Sequence, residues 1–126
     1  MTVPNLFCSR AARGEALQVQ ADRPMAFIHV RDAAEALLLA ADRLATRAQV
    51  WDVVNAAPEV ATIGQVAREV QNQAQVRGIS VRIDGAAASE ASFEVGSRFD
   101  GDGLKLATHT MADGLGEVLD FFLDRR

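Results

Sequence analysis

The order of apolar and polar residues along the chain predicts four short β-strands. Residues 26–30 form a continuous apolar run, residues 17–20 and 79–83 alternate between apolar and polar side chains, and residues 50–54 are again mostly apolar. Short runs of β-branched and aromatic residues between turn-forming residues are typical of strands. We therefore expect strands at these four places, and a further short extended piece at residues 92–95.

Apolar residues at helical spacing predict three α-helices. The first covers residues 4–13, with Pro early and Gly14 just after its end, and both residues suit those places in a helix. The second starts after Thr62, which begins a T-x-x-Q capping pattern, and Gly78 ends it. The third starts after Thr110 and carries apolar residues along one face.

A fourth helix should follow the apolar strand within the sequence FIHVRDAA at residues 27–34. Asp32 is expected to cap its first turn, with Glu35 reaching back to complete the cap. The helix should run to about Leu44 and is apolar on nearly all sides, so something beyond one sheet face must cover it. His29 lies in the strand, where we expect a buried, neutral imidazole hydrogen-bonded through one ring nitrogen.

Length and composition fit a single α+β domain over residues 1–126, with about four helices and several short strands. The net charge of −4 and the scattered arginines argue against nucleic acid, and no apolar stretch suits a membrane span. A cytoplasmic protein is the expectation. Cys8 is the single cysteine, and His29 and His109 stand far apart in sequence, so we predict no metal site and expect Cys8 to be a core residue.

The FIHVRDAA segment strongly resembles a junction in the NAD(P)-dependent epimerase/dehydratases, the extended short-chain dehydrogenases that process nucleotide sugars. In that family, such a strand-to-helix junction opens the substrate-binding half of the enzyme. Looser likenesses follow the family's order at residues 5–19, 50–55 with 62–67, and 97–100 with 110–115. The resemblance covers nearly the whole chain. It implies the C-terminal substrate domain of such an enzyme, without a complete Rossmann domain.

The chain departs from this family in the residues that carry its chemistry. None of the nine glycines forms the Gly-rich turn that a dinucleotide's pyrophosphate requires. The chain has no tyrosine, so the family's Y-x-x-x-K pair is missing. Met25 stands where many members carry an Arg for the substrate's diphosphate. We therefore assign no catalytic and no cofactor-binding residue, and NAD or NADP is implied only for a complete enzyme.

Five polar residues are candidate substrate ligands. They are Arg23, Arg31, Asn55, Arg98 and Lys105. Arg23 or Arg31 could replace the family's diphosphate-binding Arg, and the resemblance places Arg98 and Lys105 near the substrate phosphates. Each residue also has an ordinary explanation, because Arg and Lys are commonly solvated in loops and Asn commonly forms turns.

Three functions remain open at this point. The first is recognition of a sugar nucleotide, as the substrate portion of an epimerase/dehydratase whose N-terminal Rossmann half lies elsewhere. The second is a free-standing interaction module or remnant that covers its apolar helix by forming a homodimer. The third is a small enzyme that uses His29 and Asp32 as a catalytic couple, although a helix-cap role already accounts for Asp32.

Overall fold

The computed structural model describes residues 2–46, 56, 59–85 and 108–125. Within these ranges the chain forms a small α+β fold with four helices and a few short strands, which confirms the predicted class. The elements in order are α1 Val3–Ala12, β1 Leu17–Val19, β2 Pro24–Phe27, α2 Val30–Thr46, β3 Glu59–Thr62, α3 Ile63–Val76, β4 Ile83–Gly85 and α4 Met111–Leu123.

The strands form two separate pairs. β1 pairs with β4 in parallel, and Leu17 stands opposite Ile83. β2 pairs with β3 antiparallel, so that Pro24 faces Thr62 at one end and Phe27 faces Glu59 at the other. The end of β2 therefore lies beside the start of β3.

The core lies where α1, α3 and α4 pack against one another and against the β1–β4 pair. Its buried residues are Phe7, Cys8, Ala11, Ala12, Leu17, Val19, Ala61, Val66, Ala67, Val70, Ala74, Val81, Leu115 and Leu119. Small residues on α1 and α3 let these helices approach closely, and the large side chains of α4 fill the space between them. None of the α2 side chains that the structure describes belongs to this core.

Local capping fixes where the helices begin. Thr62 and Gln65 form a capping box at α3, as predicted, and Thr110 forms a second one with Asp113 at α4. Each box satisfies backbone N–H groups that have no partner within the helix. Asp22, in the segment before β2, also accepts a 2.7 Å hydrogen bond from the Gly64 N–H in the first turn of α3.

Two predicted strands are shifted in the structure, and one strand was missed. The strand expected at residues 26–30 is β2, which starts at Pro24 and ends at Phe27, because its partner β3 offers only four residues for pairing. In the stretch 79–83 only Ile83 belongs to a strand. The Val81 carbonyl accepts instead from the Gln71 side chain at 2.7 Å. β3 itself was not predicted, and residues 50–54 and 92–95 lie outside the described residues.

No helix in the described ranges is both long and apolar enough to cross a membrane. The cytoplasmic location stays a prediction.

Candidate functional site

The starts of two helices and the ends of two strands meet at one corner of the fold. We call the side chains that meet there the junction cluster, and it consists of His29, Asp32, Glu59, His109 and Glu117. Glu59 at the start of β3 accepts a 2.7 Å hydrogen bond from the Met111 N–H at the start of α4. A carboxylate at this place complements the positive end of the helix dipole.

Asp32 is the central residue of the junction cluster. It is fully buried. Its Oδ2 accepts hydrogen bonds from the backbone N–H groups of Thr108 and His109 at 3.2 and 3.1 Å. Its Oδ1 accepts from the Thr108 hydroxyl at 2.8 Å and lies 2.7 Å from Nδ1 of His109. Both oxygens therefore bind the segment that leads into α4.

These contacts keep the Asp32 carboxyl ionised. Burial alone raises the pKa of Asp32, but the hydrogen bonds from His109 and Thr108 outweigh it and lower the pKa from 3.8 to about 2. The interpretation of Asp32 as a cap before the helix was wrong. α2 already begins at Val30, which puts Asp32 in its first turn, and a tertiary partner uses the carboxylate.

The two histidines, far apart in sequence, are stacked in the structure. The rings of His29 and His109 have centroids 4.4 Å apart and an interplanar angle of 17°. Nδ1 of His29 accepts from the Arg31 N–H at 3.2 Å, which fits the neutral ring with its proton on Nε2. The His29 side chain is only 6% exposed, and its Nε2 lies 3.7 Å from Glu117. The expected burial of the His29 side chain and its hydrogen bond through one ring nitrogen are present, but His29 lies after the end of β2 and not in a strand.

Gly114 on α4 allows this close approach of His29. A Cβ atom at Gly114 would lie 2.9 Å from Cδ2 of the His29 ring. That ring is held between the helix and the His109 ring, so it has little freedom to move aside. The glycine therefore lets α4 and the end of β2 come together.

The chemistry available at the junction cluster is that of an oriented imidazole. A buried carboxylate on Nδ1 of a histidine fixes the ring, as in sites where Nε2 acts as a base. Within the described residues, no hydrogen bond links Nε2 of His109 to a hydroxyl or thiol.

Cys8 lies in the core, where burial raises the pKa of its thiol to about 12, only partly offset by Arg77, so it is not a nucleophile. The third hypothesis requires Asp32 to contact His29. The described contacts of Asp32 are made to His109 instead.

The charge at this corner is mainly negative. Asp32, Glu59 and Glu117 supply three carboxylates, and Arg31 pairs with Glu117 at 3.2 Å. The junction cluster itself would repel a diphosphate, because it holds three carboxylates, two of which already bind backbone N–H groups. The junction cluster therefore positions the surrounding elements. Arg31 lies outside it, and its exposed side chain offsets part of the negative charge by pairing with Glu117.

The structure separates two of the candidate ligands. Arg23 immediately precedes β2, while Arg31 follows it in the first turn of α2. At about 3.3 Å per residue, the strand keeps their backbones more than about 10 Å apart. Both residues are exposed. The other candidates, Asn55, Arg98 and Lys105, lie outside the described residues.

The described glycines do not fit a dinucleotide site. Gly14 and Gly78 adopt positive φ angles of 70° and 75° just after α1 and α3, where they end helices. Gly85, with φ 123°, lies so close to the Val19 carbonyl that a Cβ would meet it at 2.0 Å. Gly64 does follow β3 in the first turn of α3, but its N–H donates to Asp22 and no second glycine stands beside it. Pyrophosphate binding requires a glycine-rich turn at such a place. Among the described residues, no group of three or more His, Cys, Asp or Glu side chains could hold a metal ion.

Sequence reasoning missed four residues of this corner, which are Glu59, Thr108, His109 and Glu117. Thr108 and His109 were not linked to Asp32, and Thr108 lies 76 residues away from it. The available signal was weak: two residues with polar side chains stand directly before the predicted cap at Thr110.

Comparison of the chain with protein-family models gives no match, and a comparison with curated proteins gives none either. The resemblance to the epimerase/dehydratases therefore stays a prediction that rests on the residues quoted for it.

Proposed function

We propose that the chain is the substrate-recognition portion of an NAD(P)-dependent epimerase/dehydratase, and that it does not transfer hydride by itself. The observation that carries the proposal is that two residues of the FIHVRDAA segment make structural contacts. The side chains of Asp32 and His29 join α2 to α4. This is the role expected of a lobe that shapes a pocket wall, because chemistry would require these groups to face a ligand.

Arg31 supports the same role. Its side chain is 61% exposed beside the buried part of the motif, and its backbone is fixed by the bond from its N–H to His29. A guanidinium on a rigid helix start can bind a diphosphate with two parallel hydrogen bonds. In the structure, Glu117 forms an ion pair with the Arg31 side chain. In the complete enzyme, NAD or NADP would supply the hydride chemistry from the other half.

Titration calorimetry with UDP-sugars, TDP-sugars, NAD and NADP tests the proposal. We expect heat of binding from a sugar nucleotide and none from the two dinucleotides. Arg31→Gln should weaken sugar-nucleotide binding by about tenfold, the effect of losing about 1.4 kcal/mol. Arg23→Gln is the matched control, because Arg23 lies at the other end of β2, and it should leave the affinity unchanged.

Other results would count against recognition. Binding of no sugar nucleotide would remove the proposed substrate class. Binding of NAD or NADP would show a dinucleotide site that the described glycines do not fit. Equal losses in Arg23→Gln and Arg31→Gln would assign the effect to overall charge and not to the start of α2.

A free-standing self-associating module is the second candidate function. The observation that favours it is the exposed apolar side of α2, where Leu37 and Leu38 are more than two-thirds accessible.

A further inference from the structure

The exposed side of α2 is apolar along its length. We call it the α2 stripe, and it consists of Val30, Ala34, Leu37, Leu38, Ala41 and Ala45, all of them exposed. The large members Val30, Leu37 and Leu38 are 76%, 72% and 71% exposed. At about 100° per residue, the six positions fall within about 100° of the helix circumference, which is the width of a packing face.

The opposite side of α2 carries small or polar groups. Among the α2 side chains that the structure describes, Asp32 and Ala36 are buried and Leu39 is half-buried. Most helices of a small domain turn their large apolar side chains inward. α2 turns Leu37 and Leu38 outward, so the side that needs a partner faces away from the core.

The spacing of the α2 stripe is symmetric. Val30 and Ala45 lie equally far from the midpoint between Leu37 and Leu38, and so do Ala34 and Ala41. A two-fold axis at this midpoint would pair α2 with an antiparallel copy of itself. Leu37 of one copy would lie beside Leu37 of the other, and likewise Leu38 beside Leu38, whereas Ala34 would face Ala41. The alanines permit close approach of the two helices on either side of a leucine centre.

The charges beside the α2 stripe complement this arrangement. Arg31 and Asp42 lie next to the same edge of the stripe. They are eleven residues apart, which is close to three full turns, so they point in nearly the same direction from the helix axis. The two-fold axis brings the same edge of both helices together. Arg31 of one copy then stands about 3 Å along the axis from Asp42 of the other, at both ends of the pair. A parallel pairing would bring opposite edges of the stripe together, so Arg31 would have no Asp42 beside it.

We propose that the occupant of the α2 stripe is a second copy of this chain, paired antiparallel about the midpoint between Leu37 and Leu38. This inference deepens the second candidate function and rests on it. Arg31 takes part in both proposals, so the dimer is tested at other positions of the α2 stripe and ligand binding is measured separately.

The helix pair alone forms a small interface. A helix about 10 Å wide and about 22 Å long has a footprint of about 220 Å². A standard interface covers about 800 Å² on each partner. Association should therefore be weak and concentration-dependent, and it calls for a method that captures short-lived pairs.

Disulfide trapping of single-cysteine variants tests the register. Disulfide formation needs Cα atoms within about 7 Å. Leu37→Cys should cross-link to itself, because its two copies lie beside the axis. Ala34→Cys alone should not, since its copies would lie about 10 Å apart along the helix. Ala34→Cys mixed with Ala41→Cys should form the mixed dimer.

The controls use exposed and buried positions elsewhere. Val76→Cys on α3, where Val76 is 84% exposed, measures random collision. The native Cys8 is buried and should not react in the wild-type protein. Sedimentation equilibrium should show dimer increasing with concentration, and Leu37→Glu should weaken it at least tenfold, whereas Val76→Glu should not. Circular dichroism confirms that each variant is folded.

Three outcomes overturn the inference. The first is a wild-type monomer at all concentrations without cross-linking of Leu37→Cys, which would leave the α2 stripe to another occupant such as the other half of a two-part enzyme. The second is cross-linking of Ala34→Cys alone, which indicates a parallel pair. The third is an unchanged dimer in Leu37→Glu. If such a monomer still binds a sugar nucleotide, the recognition role survives, and if it binds none, both proposals end.

Discussion

Asp32→Ala should lower the free energy of unfolding by about 3 to 4 kcal/mol, the largest effect that we expect from a polar substitution in this chain. The change removes a buried carboxylate and leaves the backbone N–H groups of Thr108 and His109 without their acceptor. Urea denaturation followed by circular dichroism measures the loss.

Glu35→Ala is the matched control, because Glu35 is an exposed acid on the same helix. If Asp32 only capped α2 together with Glu35, both substitutions would destabilise the protein by similar small amounts. If Asp32 joins α2 to the segment before α4, only Asp32→Ala should have a large effect. Similar small losses in the two variants would contradict the tertiary role.

The pH dependence of stability gives a second readout of the same carboxylate. Folding lowers the pKa of Asp32 from 3.8 to about 2. The ionised Asp32 carboxylate therefore contributes a total of about 2 kcal/mol to the free energy of unfolding. This contribution is fully present above about pH 4 and is lost as the pH falls towards 2. Asp32→Asn should flatten the stability curve in this window. A variant curve parallel to that of the wild type would show that Asp32 is not the group that titrates.

Leu119→Ala should cost about 3 to 5 kcal/mol, because the side chain is fully buried where α4 meets α1 and α3. The surrounding helices can close the cavity only in part, since their contacts fix the backbone. Phe121→Ala on the same helix is the control. Phe121 is 47% exposed and packs beside Arg125, so its loss should be much smaller. Urea denaturation of the two variants measures both losses. If the unfolding free energy falls with urea at the same slope in both, their denaturation midpoints compare the two losses of stability directly.

Equal destabilisation by these two substitutions would contradict the placement of α4 in the core. The central position of Leu119 matters for the candidate site as well, because α4 also carries Gly114 and Glu117 to the junction cluster. A loosened α4 should therefore also weaken any ligand contact that depends on Arg31.

Features decided by a few neighbouring residues could be predicted from the sequence. The caps at Thr62 and Thr110 need only a partner three residues further on, and both are confirmed. Cys8 was expected in the core, where it lies, with its Sγ 3.6 Å from the Leu115 carbonyl oxygen. Local composition was sufficient here, because the alternative structures of these segments would leave backbone groups unsatisfied.

Features decided by distant partners could not be predicted. The pattern around Asp32 fits a helix cap equally well, and only the folded chain brings Thr108 and His109 to its carboxylate. β3 has no strong strand pattern, and its pairing with β2 determines it. The side of α2 that faces outward could not be predicted either. An almost entirely apolar helix sequence shows that the helix needs burial, but it does not show which side is covered.

The mass of the native polypeptide, read together with the coding sequence before Met1, tests most directly whether this chain is half of a two-part oxidoreductase. The account predicts a Gly-rich βαβ start and a Y-x-x-x-K pair upstream, in the same polypeptide or in a co-purifying partner. A native protein of 13.5 kDa with neither feature attached or associated would contradict it.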